Sequence, residues 1–126
     1  IYRTYGNEQI LALQFDSMRR WVDYITGATA TPYLWTGGHH YGDWLGLDAP
    51  SGSYKGSSRE DFIASAFYAH STNLLVRAGE VLGKDMQAYK DLHRGIVAAF
   101  RQAFPTYHTQ TEHALAIQFE LSTNPQ

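Results

Sequence analysis

Apolar positions recur at helical spacing in four windows, and no window alternates long enough for a convincing strand. The first runs from about Asn7 to Thr26, with Leu11, Phe15, Met18, Val22 and Ile25 on one face. Asn7 is placed to cap it, Glu8 stands in the first turn and Gly27 follows as a stop. The second runs from about Arg59 to Leu82, with a stripe of Ile63, Phe67, His70, Leu74, Ala78 and Val81. Its other faces carry Ala64, Ala66, Ala69 and Leu75, and a helix apolar nearly all round is a buried one. Ser58 and Asp61 have capping-box spacing at its start, and Gly83 ends it.

The third window runs from about Asp85, a capping residue, to Phe104, before Pro105. Tyr89, Leu92, Ile96, Ala99, Phe100 and Ala103 form its stripe, and Lys90, Asp91, Arg94 and Arg101 form the opposite face, read as solvent-facing. The fourth runs from about Gln110 to Leu121, capped by Thr109 with Glu112 and closed by Asn124-Pro125. The class is therefore all-α: two antiparallel helical hairpins in one domain segment, residues 1–126.

The connections are unequal. One or two residues separate the second and third windows, and about five the third and fourth, but roughly thirty (about 27 to 58) separate the first and second. A long loop without its own secondary structure is usually functional. Antiparallel packing puts this loop, Ser58 and the start of the fourth helix at one pole. The more charged first and third helices alternate with the more apolar second and fourth, as in two concentric helical layers.

Composition narrows the functional classes. The net charge of -2 and the lack of a basic stripe argue against nucleic acid and anionic membrane surfaces. No apolar run approaches the ~20 residues that span a bilayer. There is no cysteine, so disulfides and thiolate zinc sites are excluded, while the compartment stays open. The chain opens on Ile1 without an initiator Met, as an excised piece of something longer would.

The candidate chemistry lies in the long loop, in "WTGGHHYGDWLGLD", Trp35 to Asp48. His39 and His40 are adjacent, so their side chains point apart, and no carboxylate or second His stands at zinc spacing; no metal and no cofactor is expected. His70, on an apolar stripe, reads as a hydrogen-bonded core histidine. Asp43 and Asp48 could flank a glycosidic bond, but nothing in the sequence raises either pKa, and a turn-capping role fits as well. Glu60 and Asp61 are explained by the dipole of the second helix. Trp44, between Asp43 and Leu45 in a Gly-rich loop, has two readings. It plugs the core beneath the loop, or its indole face packs on the apolar C–H face of a sugar beside a hydrogen-bonding carboxylate. Trp35 and Tyr41 would extend such a wall. "GGHHYG" follows no strand and lacks the Lys-Ser/Thr of a phosphate loop.

Four stretches, "YRTYGNEQIL…QFDSMRRWVDYI", "GGHHYGDWLGLD", "DFIASAFYAHSTNLLVRAGEVLGK" and "TQTEHALAIQFEL", together resemble the catalytic domain of family 78 glycoside hydrolases, the bacterial α-L-rhamnosidases. The most specific pieces are Gly42-Asp43-Trp44-Leu45 and Asp61-Phe62-Ile63-Ala64. The resemblance covers nearly the whole chain. It implies an (α/α)6 barrel, of which four helices out of about a dozen would form about a third. It also implies inverting release of terminal α-L-rhamnose by a general-acid and a general-base Glu. The family's acid motif lies upstream of the matched region and its base downstream, so no catalytic residue is assigned here. Trp44 carries over as a wall of the rhamnose subsite, with Asp43 and Tyr41 assigned from proximity; His39-His40 receives no shared role. The expected partner is a rhamnose-containing glycoside. The segment alone should be inactive, with exposed apolar edges prone to self-association. The competing readings are a non-catalytic helical interaction module and a segment of another (α/α)-barrel glycosidase or lyase.

Overall fold

A computed structural model describes residues 2–123. It contains five helices: α1 (Tyr2–Tyr5), α2 (Glu8–Ala28), α3 (Glu60–Val81), α4 (Gln87–Ala103) and α5 (Gln110–Gln118). Among the described residues, β pairing is confined to two isolated bridges, Thr31 with Leu34 and Trp44 with Lys55. Among the described residues, no helix is long and apolar enough to cross a membrane. The one-turn α1 was not legible as a separate element.

Local chemistry sets the helix ends, in places differently from the sequence reading. Asn7 caps α2 by accepting the Gln9 N–H at 3.0 Å. That helix runs through Gly27 to Ala28, because no steric demand forces a turn there, and it stops where the Thr29 hydroxyl bonds loop carbonyls. Ser58 does not cap α3: Arg59 is the cap residue, without a side-chain capping bond, and the Ser58 hydroxyl is used elsewhere. Gly83 ends α3 at φ 66°, with the Lys84 N–H bonding Gly79 O and the Gly83 N–H bonding Glu80 O.

Helix α4 starts two residues past Asp85, whose carboxylate accepts the Gln87 N–H at 2.9 Å while Met86 is buried against Gly79. Helix α5 ends at Gln118, short of Leu121, because Glu120 turns left-handed at φ 59° and the Leu121 N–H bonds back to Ala116 O. Arg101, read as merely solvent-facing, donates to the Glu120, Leu121 and Ser122 carbonyls and ties that turn to α4. Asn124-Pro125, the expected stop, lies outside the described residues.

Cross-helix contacts give the directions. Thr26 near the end of α2 meets Tyr68 in the first half of α3, hydroxyl to hydroxyl at 2.8 Å, and Lys84 beyond α3 sits over the Phe15 ring near the start of α2. These helices are therefore antiparallel. Phe62 packs on Phe100 and Phe104, while Gly79 meets Met86, so α3 and α4 are antiparallel too. Arg59 meets Glu112 and Phe67 meets Phe119, so α5 runs parallel to α3. Helices α2 and α4 thus share one direction and α3 and α5 the opposite one, the alternation of a two-layered helical ring.

Helix α3 is buried on nearly every side, with Phe62, Ala66, Tyr68, Ala69 and Leu75 fully inside. Helices α2 and α4 contribute a stripe each: Phe15, Val22 and Ile25, then Ile96 and Phe100. This is the burial expected of an inner helix flanked by two outer ones. His70 stacks on Phe119 with centroids 4.0 Å apart, and burial, then Arg77, hold its pKa below the usual histidine value.

Candidate functional site

Residues 29–59 form the long connection, and the first half of α3 pins it at intervals. Ser65 accepts the Trp35 N–H at 3.1 Å. The Asp61 carboxylate accepts the Gly37 N–H at 3.0 Å, and Glu60 accepts Lys55 Nζ at 2.8 Å. The acidic first turn of α3 therefore anchors the loop as well as complementing the helix dipole. Glu60 has its pKa lowered by the Lys55 hydrogen bond against a smaller burial effect.

Within the connection the chain folds back on itself. "DAPSG" (48–52) makes the turn, and Trp44 then bridges Lys55. The returning backbones nearly touch: a Cβ on Gly46 would lie 2.7 Å from the Gly56 Cα. The Asp48 carboxylate closes the fold-back, taking both the N–H and the hydroxyl of Ser57, and these bonds lower its pKa. Asp48 therefore serves the turn.

Trp44 is not a core plug. It is 49% exposed and stands in a file of rings along the outside of the loop. Tyr41 meets it edge-on at 5.5 Å, and Tyr54 packs at 5.4 Å with 36° between the planes. His39 continues the file behind Tyr41 at 5.4 Å. His40 turns the other way, edge-on to Trp35 at 4.9 Å with its Nε2 against Gly37 O at 2.9 Å. The two histidines therefore diverge, and among the described residues no cluster of His, Cys, Asp and Glu could hold a metal ion.

Asp43 points inward, away from the exposed file. Its Oδ2 accepts from the Ser58 hydroxyl at 2.8 Å and from the Thr111 hydroxyl at 2.7 Å. Its carbonyl accepts the Gly46 and Gly56 N–H groups at 3.2 and 2.8 Å. Ser58 is buried and sits 2.7 Å from the Thr109 hydroxyl, which accepts the Glu112 N–H. Beneath this chain lies Glu112, fully buried. It takes the Arg59 N–H and Nε on one oxygen, and Arg59 Nη2 and the His108 N–H on the other. Burial alone would raise its pKa; the Arg59 and His108 hydrogen bonds and the Arg59 charge outweigh that and bring it to about 2.

The starts of α3 and α5 are thus welded together, with the loop strapped over them. Sequence reasoning singled out Trp44, Tyr41 and Asp43; it did not single out Tyr54, which packs on Trp44, or the Ser58–Thr111 clamp on Asp43. The "DAPSG" turn was the one available signal that residue 54 returns beside residue 44. Each carboxylate at this pole is committed: Asp43 to hydroxyls, Asp48 to Ser57, Glu60 to Lys55, Asp61 to Gly37 and Glu112 to Arg59. The resolved shifts, at Asp48, Glu60 and Glu112, are all downward, opposite to the requirement of a general acid near neutral pH.

Alternating helix directions, a buried inner helix and a loop-built pole define the class: a partial (α/α)6 barrel. The bacterial alpha-L-rhamnosidase 6 hairpin glycosidase domain matches residues 1–126, and the chain belongs to that family. It is 33% identical to an alpha-L-rhamnosidase of Formosa agariphila, an alignment covering 95% of this chain and 14% of that protein. It is 34% identical to one of Streptomyces avermitilis, over 82% of this chain and 9% of that protein. The crystal structure of the Streptomyces avermitilis alpha-L-rhamnosidase complexed with L-rhamnose superimposes with a TM-score of 0.82 at 31% identity, covering 96% of this chain and 12% of that one. The native rhamnosidase of Aspergillus terreus gives 0.83 at 26% identity, covering 95% and 15%. The chain therefore spans about a seventh or less of the relatives it matches.

Proposed function

We propose that this chain supplies part of the sugar subsite of an inverting α-L-rhamnosidase. In this reading Trp44 and Tyr41 form its wall, and the general acid and base are contributed from outside the 126 residues. The observation that carries the reading is the exposed, braced ring file of Tyr41, Trp44 and Tyr54 at the pole where α3 and α5 begin. An indole half open to solvent, yet fixed by two neighbouring rings, offers a rigid apolar face at little entropic cost on binding. A 6-deoxy sugar, with its methyl group and axial–equatorial C–H faces, suits such a surface. The committed carboxylates, and the lowered pKa values of Asp48, Glu60 and Glu112, support placing proton transfer elsewhere. The catalytic pair of an inverting glycosidase stands ~6.5–9.5 Å apart with water between.

The test is Trp44→Ala in the full-length enzyme that carries this segment, assayed on an aryl α-L-rhamnoside. The expected result is a rise in KM of about tenfold, the upper end for a lost aromatic packing contact, with proton NMR showing the β-anomer released first. An unchanged KM would remove Trp44 from the subsite, and initial α-anomer would overturn the inverting assignment.

A further inference from the structure

We propose that Asp43 is a positioning residue: it acts on the sugar through Trp44 and does not bind the sugar itself. This rests on Trp44 being the subsite wall. Three observations carry it. First, the Asp43 Oδ2 is held between the Ser58 and Thr111 hydroxyls, at 2.8 and 2.7 Å, so the carboxylate faces the starts of α3 and α5. Second, proton direction along this chain is fixed. The Glu112 N–H donates to Thr109 Oγ1, whose own proton goes to Ser58, whose proton goes to Asp43. The donated protons thus run from the Glu112 backbone, beside the buried Glu112–Arg59 pair, outward to Asp43, whose Oδ2 is the acceptor that ends the chain.

Third, the backbone on either side of Trp44 is over-determined. Asp43 O receives two N–H groups from the fold-back, and Leu45 is held left-handed at φ 65° with its N–H on Tyr54 O. A branched side chain adopts that conformation only where its surroundings impose it. With Asp43 fixed on one side and Leu45 on the other, the Trp44 Cα–Cβ direction is set, and the indole meets Tyr41 and Tyr54 in one pose. The structure thus assigns the Asp of Gly42-Asp43-Trp44 to building the wall.

The experiment compares four variants of the full-length enzyme on an aryl α-L-rhamnoside: Trp44→Ala, Asp43→Ala, Asp43→Asn and the double Ser58→Ala/Thr111→Val. Near-UV circular dichroism reports the aromatic file, and thermal melting reports folding. The double variant keeps the carboxylate and removes its clamp. Positioning predicts that it raises KM by a few-fold to about tenfold with kcat largely kept, and flattens the aromatic signal. Asp43→Ala should match it, and Asp43→Asn, which still accepts both hydroxyls, should restore most of the native KM. If Asp43→Ala and Asp43→Asn both raise KM while the double variant is native, Asp43 contacts the sugar and the proposal is overturned. A native KM for Asp43→Ala overturns it as well. If Trp44→Ala is itself silent, the failure lies with the subsite reading.

Discussion

Arg59 grips the fully buried Glu112 carboxylate through its backbone N–H, Nε and Nη2, at 3.0, 2.9 and 2.8 Å, although the two residues lie 53 positions apart. The pair joins the cap residue of α3 to the first turn of the parallel helix α5. Replacing the carboxylate removes charge-assisted bonds to Arg59, whose side chain still reaches solvent, so Glu112→Gln should cost about 1–3 kcal/mol in urea unfolding. A loss under about 1 kcal/mol would mean that water replaces the carboxylate. The same pair sets an acid limit. The folded pKa of about 2 lies below the ordinary 4.5, so its contribution is fully present above about pH 4.5 and is lost as pH falls toward 2. Stability followed against pH should fall through that window in the native protein and more shallowly in Glu112→Gln.

Gly46 and Gly56 let the fold-back close. A methyl on Gly46 would sit 2.7 Å from a backbone atom, with no flexible side chain to give way. Gly46→Ala should therefore destabilise by about 1–3 kcal/mol, as overpacked sites do, and loosen Trp44 from Tyr54. Differential scanning calorimetry with near-UV dichroism checks both, and a native spectrum would show that the two backbones can separate without disturbing the wall.

Tyr54 packs on Trp44 and would extend the proposed wall beyond the residues legible in the sequence. Tyr54→Ala should raise KM for an aryl rhamnoside a few-fold. Its effect should be less than additive with Trp44→Ala, because each ring supports the other's pose at 5.4 Å. Strict additivity in the double-mutant cycle would make Tyr54 an independent contact or a bystander.

Phe67, Leu74 and Val81 lie seven residues apart on α3 and remain 46, 41 and 37% exposed in this chain. Such a stripe on an otherwise buried helix needs a cover. The purified 126-residue chain should release no rhamnose and should self-associate with rising concentration in sedimentation velocity. Turnover of an aryl rhamnoside would place the catalytic groups inside the chain, and a clean monomer would show that the stripe tolerates water.

The periodicity of α3 and α4 was readable because an amphipathic or all-round apolar helix writes its packing into the sequence at 3.6-residue spacing. Caps were less readable. Ser58 has the right type and spacing to cap α3, but a better partner, Asp43, arrives from 15 residues upstream. Glu112 likewise resembles half of a capping box, yet its carboxylate goes to Arg59. A local pattern states which bonds are available, and long-range neighbours decide which are made.

By itself the sequence determined the all-α class, the inner and outer helices, the long loop at one pole and Trp44 as its singular residue. These follow from local periodicity, turn chemistry and composition. Only the tertiary structure decided that Trp44 is open to solvent, that Tyr54 stands beside it and that Asp43 faces inward. Each of those depends on contacts between residues far apart in the chain. Their energy lies in desolvated hydrogen bonds and ring packing, which no spacing along the sequence encodes.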